Sequence, residues 1–299
     1  MKILGILVCG AAVAASVSTP SAVPFPDVSA WNIPTEPFRI VGPVHFVGTS
    51  ELAAYLVATP AGHVLIDGGL PESAPLIERS IRTLGFDPKD IRTLLITQAH
   101  FDHVGSLAHF ERLSRARVEV MDGDVALVES GGRTDYLFAA TERAWFEPVE
   151  VDRSLRDGDT VSLGGIILTA RRTPGHTPGS TTWLATVEDG GRRYAVLFSA
   201  STGINPGTQF VERPSYPGIA EDYAASFRIL ESLQPEVFLG SHTGFFAMEE
   251  KRKRLATGGP GHPFVDPDGF RAHVAARKRA FEEHLERERA AARRAPAVP

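Results

Sequence analysis

The sequence is short of cysteine. Among 299 residues, the single residue of this type is Cys9, which lies in an apolar run close to the N-terminus. A lone cysteine cannot form a disulfide within the chain, so a disulfide-dependent scaffold is excluded. The stability of the folded protein must therefore come from core packing and from any metal that the protein binds.

The sequence also lacks an excess of positive charge. It contains 31 Lys and Arg residues against 36 Asp and Glu residues, which gives a formal net charge of −5. Proteins that bind nucleic acid generally carry a basic patch or stripe, and the sequence shows none. We therefore expect no nucleic-acid partner.

Long hydrophobic runs are confined to the N-terminus. Met1 and Lys2 supply a positive start, and residues 3–15 are apolar and small, a pattern typical of a secretory signal peptide. We predict a signal peptide over residues 1–18, with an uncleaved anchor as the alternative. No second apolar stretch in the sequence is long enough to cross a membrane. The pattern predicts an exported protein with no membrane span after cleavage, and we expect a monomer.

The remaining sequence divides into an arm and one domain. Residues 19–37 are rich in Pro and Ser and predict an extended arm, whereas residues 38–299 predict a single α/β (α+β) domain. Two β-rich halves packed face to face, with helices outside, predict an αββα sandwich. Strands are predicted over residues 38–41, 44–47, 52–58, 63–66, 93–97, 118–121, 166–170, 181–187, 194–198 and 236–240, and helices over residues 72–85, 122–129, 219–233 and 267–294.

One stretch concentrates metal-binding side chains. The apolar run 93–97 is followed directly by Gln98-Ala99-His100-Phe101-Asp102-His103. On a continuous helix the side chains at positions 100, 102 and 103 would not share a face, so they converge only if the backbone turns there. We therefore predict a strand that ends in a loop, with a helix beginning near His103. Imidazole and carboxylate groups together favour zinc.

Other polar groups also follow the ends of predicted strands, namely Asp67, His176, the Ser201–Thr202 loop and His242. Ligand sites in sheet proteins tend to lie beyond strand ends, so strands that lie side by side would bring these groups into one cleft. The candidate ligands sort into two zinc sites, the first with Gln98, His100 and His176 and the second with Asp102, His103 and His242. Two metals close together can jointly activate a water and polarise a carbonyl.

Two aromatic residues are candidates for the walls of such a cleft. Trp31, in the arm, either packs on the domain surface or forms one wall of the cleft. Phe138 belongs to residues 133–150, an aromatic stretch with no clear period. A stretch of this kind either packs over the core or covers a pocket as a flap, and we favour the flap.

These motifs resemble those of the metallo-β-lactamase superfamily, most closely subclass B3. The resemblance runs from about Trp31 to Glu288. It is carried by the Gln98–His103 stretch, Asp67-Gly68-Gly69, Gly175-His176-Thr177-Pro178-Gly179-Ser180, Asn205-Pro206-Gly207, His242 and Pro263-Phe264-Val265-Asp266-Pro267.

The resemblance implies an αββα fold, a periplasmic location and zinc-dependent hydrolysis of β-lactams. It assigns His100 and His176 to a first zinc, and Asp102, His103 and His242 to a second. Asp102 would also orient the attacking water, which makes it the candidate catalytic residue. The residues expected to bind substrate are Trp31, Phe138, Thr202 and Asn205, and Asp67 is expected to support a ligand from behind.

The sequence departs from the resemblance at two places. Gln98 replaces the first His of the pattern, and because a neutral amide is a poorer zinc donor than imidazole, we predict a weaker first site. Relatives often present serines to the substrate carboxylate, where this sequence has Thr202 and Ile204. The hydroxyl of Thr202 can donate one hydrogen bond, whereas Ile204 can donate none.

Two alternatives remain open. A lactone or thioester hydrolase of the same superfamily would usually place a bridging Asp in the loop that here reads Ser199-Ala200-Ser201-Thr202, and its absence favours the lactamase. A non-catalytic periplasmic binding protein that kept the fold is the second alternative. Five intact candidate ligands argue against it, because a retired site has no physical need of them.

Overall fold

The computed structural model describes residues 25–294, so the predicted signal peptide lies outside the described part. The strands are β1 (Phe38–Val41), β2 (Val44–Phe46), β3 (Tyr55–Thr59), β4 (Gly62–Ile66), β5 (Ile91–Leu95), β6 (Arg117–Met121), β7 (Arg153–Leu155), β8 (Thr160–Leu163), β9 (Ile166–Arg172), β10 (Thr181–Asp189), β11 (Arg192–Ser199) and β12 (Val237–Gly240). The α-helices are α1 (Ala74–Thr83), α2 (Phe101–Val104), α3 (Leu107–Ser114), α4 (Val125–Ser130), α5 (Ile219–Ser232), α6 (Met248–Thr257) and α7 (Pro267–Arg294). Over this range, no helix is both long and apolar enough for a membrane crossing.

The strands form two sheets. The first has the order β1-β2-β3-β4-β5-β6-β7, and the second has the order β12-β11-β10-β9-β8. Strands β4 to β7 run parallel, as do β11 and β12, while the other pairs are antiparallel. Parallel neighbours present their carboxyl ends at the same edge, so the loops that follow β4 and β5 lie together, and so do those that follow β11 and β12.

The main core lies between the two sheets. Tyr55 of the first sheet and Trp183 and Phe198 of the second are fully buried there, with the Tyr55 and Phe198 rings 5.2 Å apart. Trp183 Nε1 donates to the carbonyl of Ile96 at 2.9 Å, and Tyr55 Oη donates to the carbonyl of Gly240 at 2.6 Å. The sheets are therefore joined by hydrogen bonds as well as by apolar packing.

Helices cover the outer sides of both sheets. On the first sheet, Ile77 of α1 and Phe110 of α3 pack in a second buried cluster with Leu94. On the second sheet, Phe227 of α5 packs on Phe281 of α7 with ring centroids 5.7 Å apart. This arrangement confirms the predicted αββα sandwich, because each sheet buries one face against the other sheet and one against helices.

Several element boundaries differ from the predictions; strand β3, for example, begins at Tyr55 rather than at residue 52. Strand β5 ends at Leu95 rather than at residue 97, because the N–H and hydroxyl of Thr97 donate to the carboxylate of Asp67 instead of continuing a ladder. The helix expected near His103 is two short helices, α2 and α3. Strands β7 and β8 and helix α6 were not predicted, since each carries too few apolar residues to show a period.

Candidate metal centre

Loops from both sheets meet at one edge of the sandwich. Asp67 follows β4, the Gln98–His103 stretch follows β5 and begins α2, and His176 follows β9. Residues 200–205 follow β11, and His242 follows β12. These loops enclose a cleft of about 370 Å³ whose lining includes His100, Asp102, His176 and His242. The strand-end positions identified in the sequence thus converge in space.

His100 and His176 face each other across the cleft. Nδ1 of His100 lies 3.1 Å from Nε2 of His176. The outer nitrogen of each ring faces an acceptor, since His100 Nε2 is 3.2 Å from a carboxylate oxygen of Asp135 and His176 Nδ1 donates to the carbonyl of Gly203 at 2.7 Å. With a proton on His100 Nε2 and on His176 Nδ1, the nitrogens that face each other, His100 Nδ1 and His176 Nε2, each carry a lone pair. Two lone pairs pointed at one position suit a shared cation.

The loop that carries His176 depends on close packing at a glycine. Gly175 has φ = 135°, a conformation that favours glycine, and a Cβ there would lie 2.6 Å from the ring of Tyr223. Tyr223 in turn donates to the carbonyl of Gly203 at 2.7 Å, the same carbonyl that receives His176 Nδ1. The orientation of the His176 ring is therefore set by α5 and by the loop after β11.

A second group of donors adjoins this pair. Oδ2 of Asp102 lies 3.2 Å from Nε2 of His103 and 3.5 Å from Nε2 of His242. The donor atoms of these three residues all lie within 4.8 Å of one another, as in a metal site. His242 is positioned by an isolated bridge to Leu52, and its ring meets that of His103 edge-on at 5.0 Å.

Asp67 supports His103 from behind. It is fully buried, and its Oδ2 lies 3.3 Å from Nδ1 of His103. Its backbone has φ = 62°, which is uncommon for a residue with a side chain. The side chain is held in place by two hydrogen bonds of 2.7 Å from Thr97. Asp67 thereby fixes the His103 ring so that Nε2 points toward Asp102.

The charges of the second group suit a cation. Burial opposes ionisation of Asp102, yet the imidazoles of His103 and His242 lower the pKa of this carboxyl below its usual range. Burial likewise opposes a charged ring at His103, but Asp102 and Asp67 raise its pKa to about 10. Burial lowers the pKa of His242 to about 4 and that of His176 to about 3. A bound cation would replace the proton that His103 holds.

Gln98 differs from the other candidate ligands. Its Oε1 accepts a hydrogen bond of 2.7 Å from the backbone N–H of Ser201, while its Nε2 is buried with no hydrogen-bond partner in residues 25–294. The donor to Oε1 fixes the orientation of the amide, because an NH₂ group cannot accept from Ser201. The hydrogen bond from Ser201 therefore takes one of the two lone pairs of the Gln98 atom that could bind a metal.

The residues present fit zinc. Nε2 of His103, which faces Asp102, is buried without a hydrogen-bond partner in the part of the chain that the structure describes, and such an orphaned group is costly unless something binds it. Imidazole nitrogens and one carboxylate form a donor set typical of zinc. In the described residues, Asp102, His103 and His242 form one donor group, and the position between His100 and His176 has two imidazole donors.

Two functional residues were missed in the sequence. Asp124 is fully buried and accepts hydrogen bonds from Ala99 N, Thr177 Oγ1 and Gly179 N, at 3.0, 2.7 and 2.7 Å. Burial raises its pKa to about 6. Asp135 faces His100 from the stretch interpreted as a flap. Asp124 shows no local signal, because its partners are more than 20 residues away in the sequence. Asp135 also accepts from the nearby N–H groups of Leu137 and Phe138, which is the pattern of an ordinary turn and does not reveal its distant contact with His100.

The predicted substrate-binding residues are placed as follows. Trp31, Phe138 and Asn205 line the cleft, with Trp31 edge-on to His242 at 5.7 Å and Phe138 edge-on to His100 at 5.5 Å. Thr202 is buried with 6% of its surface exposed and does not line the cleft, whereas Ile204 does. Phe138 is also part of the buried cluster on the first sheet. Residues 133–150 therefore pack on the core through Phe138, and the same residue also lines the cleft.

Comparisons with known proteins agree with this geometry. The sequence profile of the Metallo-beta-lactamase superfamily matches residues 52–242. Native FEZ-1 metallo-β-lactamase from Legionella gormanii is 41% identical, with a TM-score of 0.84 over 86% of this chain and 98% of that one. The class B3 di-zinc metallo-β-lactamase LRA-12 from an Alaskan soil metagenome is 34% identical, with a TM-score of 0.81 over 89% of this chain and 100% of that one.

A curated relative with another activity also matches in part. The hydroxyacylglutathione hydrolase of Rhodopseudomonas palustris (strain BisA53) is 32% identical over 132 residues, which cover 44% of this chain and 42% of that protein. The profile match, the αββα sandwich and the cluster of His and Asp at the edge of both sheets lead to one conclusion. The chain belongs to the metallo-β-lactamase superfamily.

Proposed function

We propose that this protein hydrolyses the amide bond of β-lactams in a zinc-dependent reaction. The observation that carries the proposal is the convergence of two donor groups in one cleft, His100 with His176 and Asp102 with His103 and His242. Support comes from the similarity to solved metallo-β-lactamases over nearly their whole length. The cleft volume of about 370 Å³ falls in the range of small-molecule sites.

Zinc, when bound, supplies a Lewis acid that polarises a carbonyl oxygen and makes water nucleophilic near neutral pH. The protein residues hold the reactants in place. The Asp102 carboxylate, kept ionised by its imidazole neighbours, can accept a hydrogen bond from the attacking water and orient it. Asp135 and Asp67 hold the rings of His100 and His103. Trp31 and Phe138 form aromatic walls of the cleft.

We further propose that the two zinc sites differ in strength. The second site offers a carboxylate and two imidazoles, whereas the first offers two imidazoles and an amide oxygen. That oxygen already accepts from Ser201, and an amide is a weaker donor to zinc than imidazole. Zinc should therefore fill the site of Asp102, His103 and His242 before that of His100 and His176.

Thioester hydrolysis is the second candidate, favoured by the similarity to hydroxyacylglutathione hydrolases. The loop after β11 reads Ser199-Ala200-Ser201-Thr202 and contributes no carboxylate to bridge two metals. A thioester hydrolase would thus have to work without that bridge. This difference leads us to place β-lactam hydrolysis first.

A hydrolysis panel tests the proposal. The zinc-loaded protein is mixed with a chromogenic cephalosporin, a homoserine lactone and a glutathione thioester, each with and without chelator. We expect chelator-sensitive cephalosporin turnover that returns when zinc is restored. Turnover of the thioester or lactone alone would favour the second candidate. Binding of the cephalosporin with no turnover of any substrate would favour the binding-protein alternative.

We also propose a periplasmic, monomeric protein. The support for this location is the sequence of residues 1–18, which is typical of a secretory signal peptide. Cell fractionation and mass spectrometry of the N-terminus test the location and the cleavage. Sedimentation analysis of the purified protein tests the monomer.

A further inference from the structure

Helix α7 contributes one cation to the cleft. Arg277 lies near the middle of this helix, and its side chain lines the same cleft as His176 and His242. Among the lining residues it is the only Lys or Arg. The surrounding sequence of α7 is rich in charged residues, most of which are exposed. Arg277 is instead half-buried, and this burial lowers the pKa of its guanidinium from the usual value.

The guanidinium of Arg277 has no anionic partner within the range 25–294. It makes no hydrogen bond to protein acceptors there, and no carboxylate oxygen lies within 4.0 Å of it. Residues 1–24 and 295–299 contain no Asp or Glu. A guanidinium remains charged in proteins and has five donors to satisfy, so a half-buried one without an acceptor leaves binding capacity unused.

The contacts of Arg277 hold it at the cleft wall. Its guanidinium lies over the ring of Phe245, 4.8 Å from the centroid, and Nη1 lies 4.0 Å from the position that a Cβ on Gly203 would occupy. Phe245 also packs on His242, with ring centroids 5.0 Å apart. The cation thus sits between the loop after β11 and the ligand His242, and its charge helps to lower the pKa of that histidine.

The charge of Arg277 gains importance from the groups that the neighbouring loop after β11 offers to a substrate. On the loop after β11, Thr202 does not line the cleft, the side chain of Ile204 has no hydrogen-bond donor, and the side chains of Ser201 and Asn205 that line the cleft are uncharged. The only acidic side chains in the lining are those of Asp102, in the candidate metal group, and Glu51, which lies beyond 4.0 Å of the guanidinium. A substrate with an anionic group therefore finds its complementary charge at Arg277.

We propose that Arg277 binds the carboxylate of the substrate and so selects for anionic β-lactams. This inference rests on the proposed function, since the fused ring of penicillins, cephalosporins and carbapenems carries a carboxylate next to the lactam nitrogen. A planar guanidinium can hold a carboxylate through two parallel hydrogen bonds. Anchoring the carboxylate at α7 would hold the substrate in the cleft that His100 and His176 also line.

A structural role is the competing explanation. The contact with Phe245 could by itself account for Arg277, because guanidinium groups stack on aromatic rings. In that case substitution would disturb His242 and alter metal binding, with equal effects on charged and uncharged substrates. A matched pair of substrates separates the two roles.

The test compares a chromogenic cephalosporin that has a free ring carboxylate with its methyl ester. The proteins are the wild type, Arg277→Gln, Arg277→Lys and the control Arg279→Gln, which alters an exposed arginine on the same helix. KM, kcat, the equilibrium dissociation constant and the zinc content are measured for each. We expect the wild type to favour the acid over the ester by about tenfold or more in KM and in the dissociation constant.

That preference should vanish in Arg277→Gln, persist in part in Arg277→Lys and persist fully in Arg279→Gln, with unchanged zinc content. A wild type without the preference, or an Arg277→Gln protein that keeps it, would overturn the inference. Because binding is measured apart from turnover, the proposed function can fail separately. A protein that hydrolyses no lactam but loses its preference for the acid in Arg277→Gln would sustain the anchor and refute the lactamase.

Discussion

The side-chain oxygen of Gln98 accepts a hydrogen bond from the backbone N–H of Ser201, at 2.7 Å. This bond joins the loop after β5 to the loop after β11 and thus spans the two sheets. The Nε2 of the same amide is buried and has no hydrogen-bond partner in the described residues. Gln98 therefore joins two loops at the sequence position where the family pattern has a metal-binding His.

Gln98→His should strengthen the first zinc site. An imidazole would add a third nitrogen donor beside His100 and His176, and we expect zinc to bind there at least about tenfold more tightly. Competition with a chromogenic chelator measures both zinc constants. Gln234→His, on an exposed glutamine, controls for adding a surface histidine. Equal and tight occupancy of both sites in the wild type would contradict the prediction.

Asp67→Asn should weaken the second zinc site. Removing the charge behind His103 leaves its Nε2 a poorer donor, and loss of such a supporting carboxylate costs roughly 10–100-fold in metal affinity. Asn tolerates the positive φ of this position, so the backbone should be preserved. The zinc constants report the effect, and circular dichroism checks the fold. An unchanged second constant would show that Asp67 acts only on Thr97.

Asp124→Ala should destabilise the protein. It would leave three buried donors without their acceptor, which we expect to lower the free energy of unfolding by on the order of 3 kcal/mol. Denaturant unfolding of the zinc-free protein measures the change. Asp122→Ala, two residues earlier and exposed, is the control and should change stability little. Similar losses in both variants would argue against the special role of Asp124.

His273→Phe should alter the pH dependence of stability. Burial and the nearby Arg277 cation lower the pKa of His273 to about 4, whereas an unfolded chain has a value near 6.5. The unfolded state therefore binds more protons between these values, so stability is complete above about pH 6.5 and falls toward pH 4, by on the order of 3 kcal/mol.

Denaturant unfolding at a series of pH values checks this prediction. In zinc-free protein, the ligand histidines titrate in the wild type and in His273→Phe alike, so the difference between the two isolates His273. That difference should grow in favour of the variant as the pH falls from 7 to 4. A difference independent of pH would show that His273 titrates normally in the folded protein.

The sequence allowed most of the fold and the convergence of the candidate ligands to be predicted. Apolar runs marked the buried strands, and polar residues placed directly after them, such as Asp67 and His242, share one edge because their strands are parallel to neighbours. That inference needs only the period of the pattern and the direction of the strands.

Other features depended on contacts that no local pattern encodes. Strand β5 ends two residues early because Asp67, 30 positions away, takes the hydrogen bonds of Thr97. The contact of Asp135 with His100 likewise exists only in the folded chain. Arg277 occurs in a helix rich in charged residues, and its proposed role depends on the side of α7 that faces the cleft.

The two hydrogen bonds that join the sheets also bear on how the protein acquires metal. Trp183 holds the carbonyl of Ile96, two residues before Gln98, and Tyr55 holds that of Gly240, two residues before His242. The starting points of two ligand loops are thus locked to the opposite sheet before any ion arrives. Ligand loops that are already held in place lose little conformational entropy when they bind a metal ion. The apoprotein could therefore fold first and collect its ions afterwards.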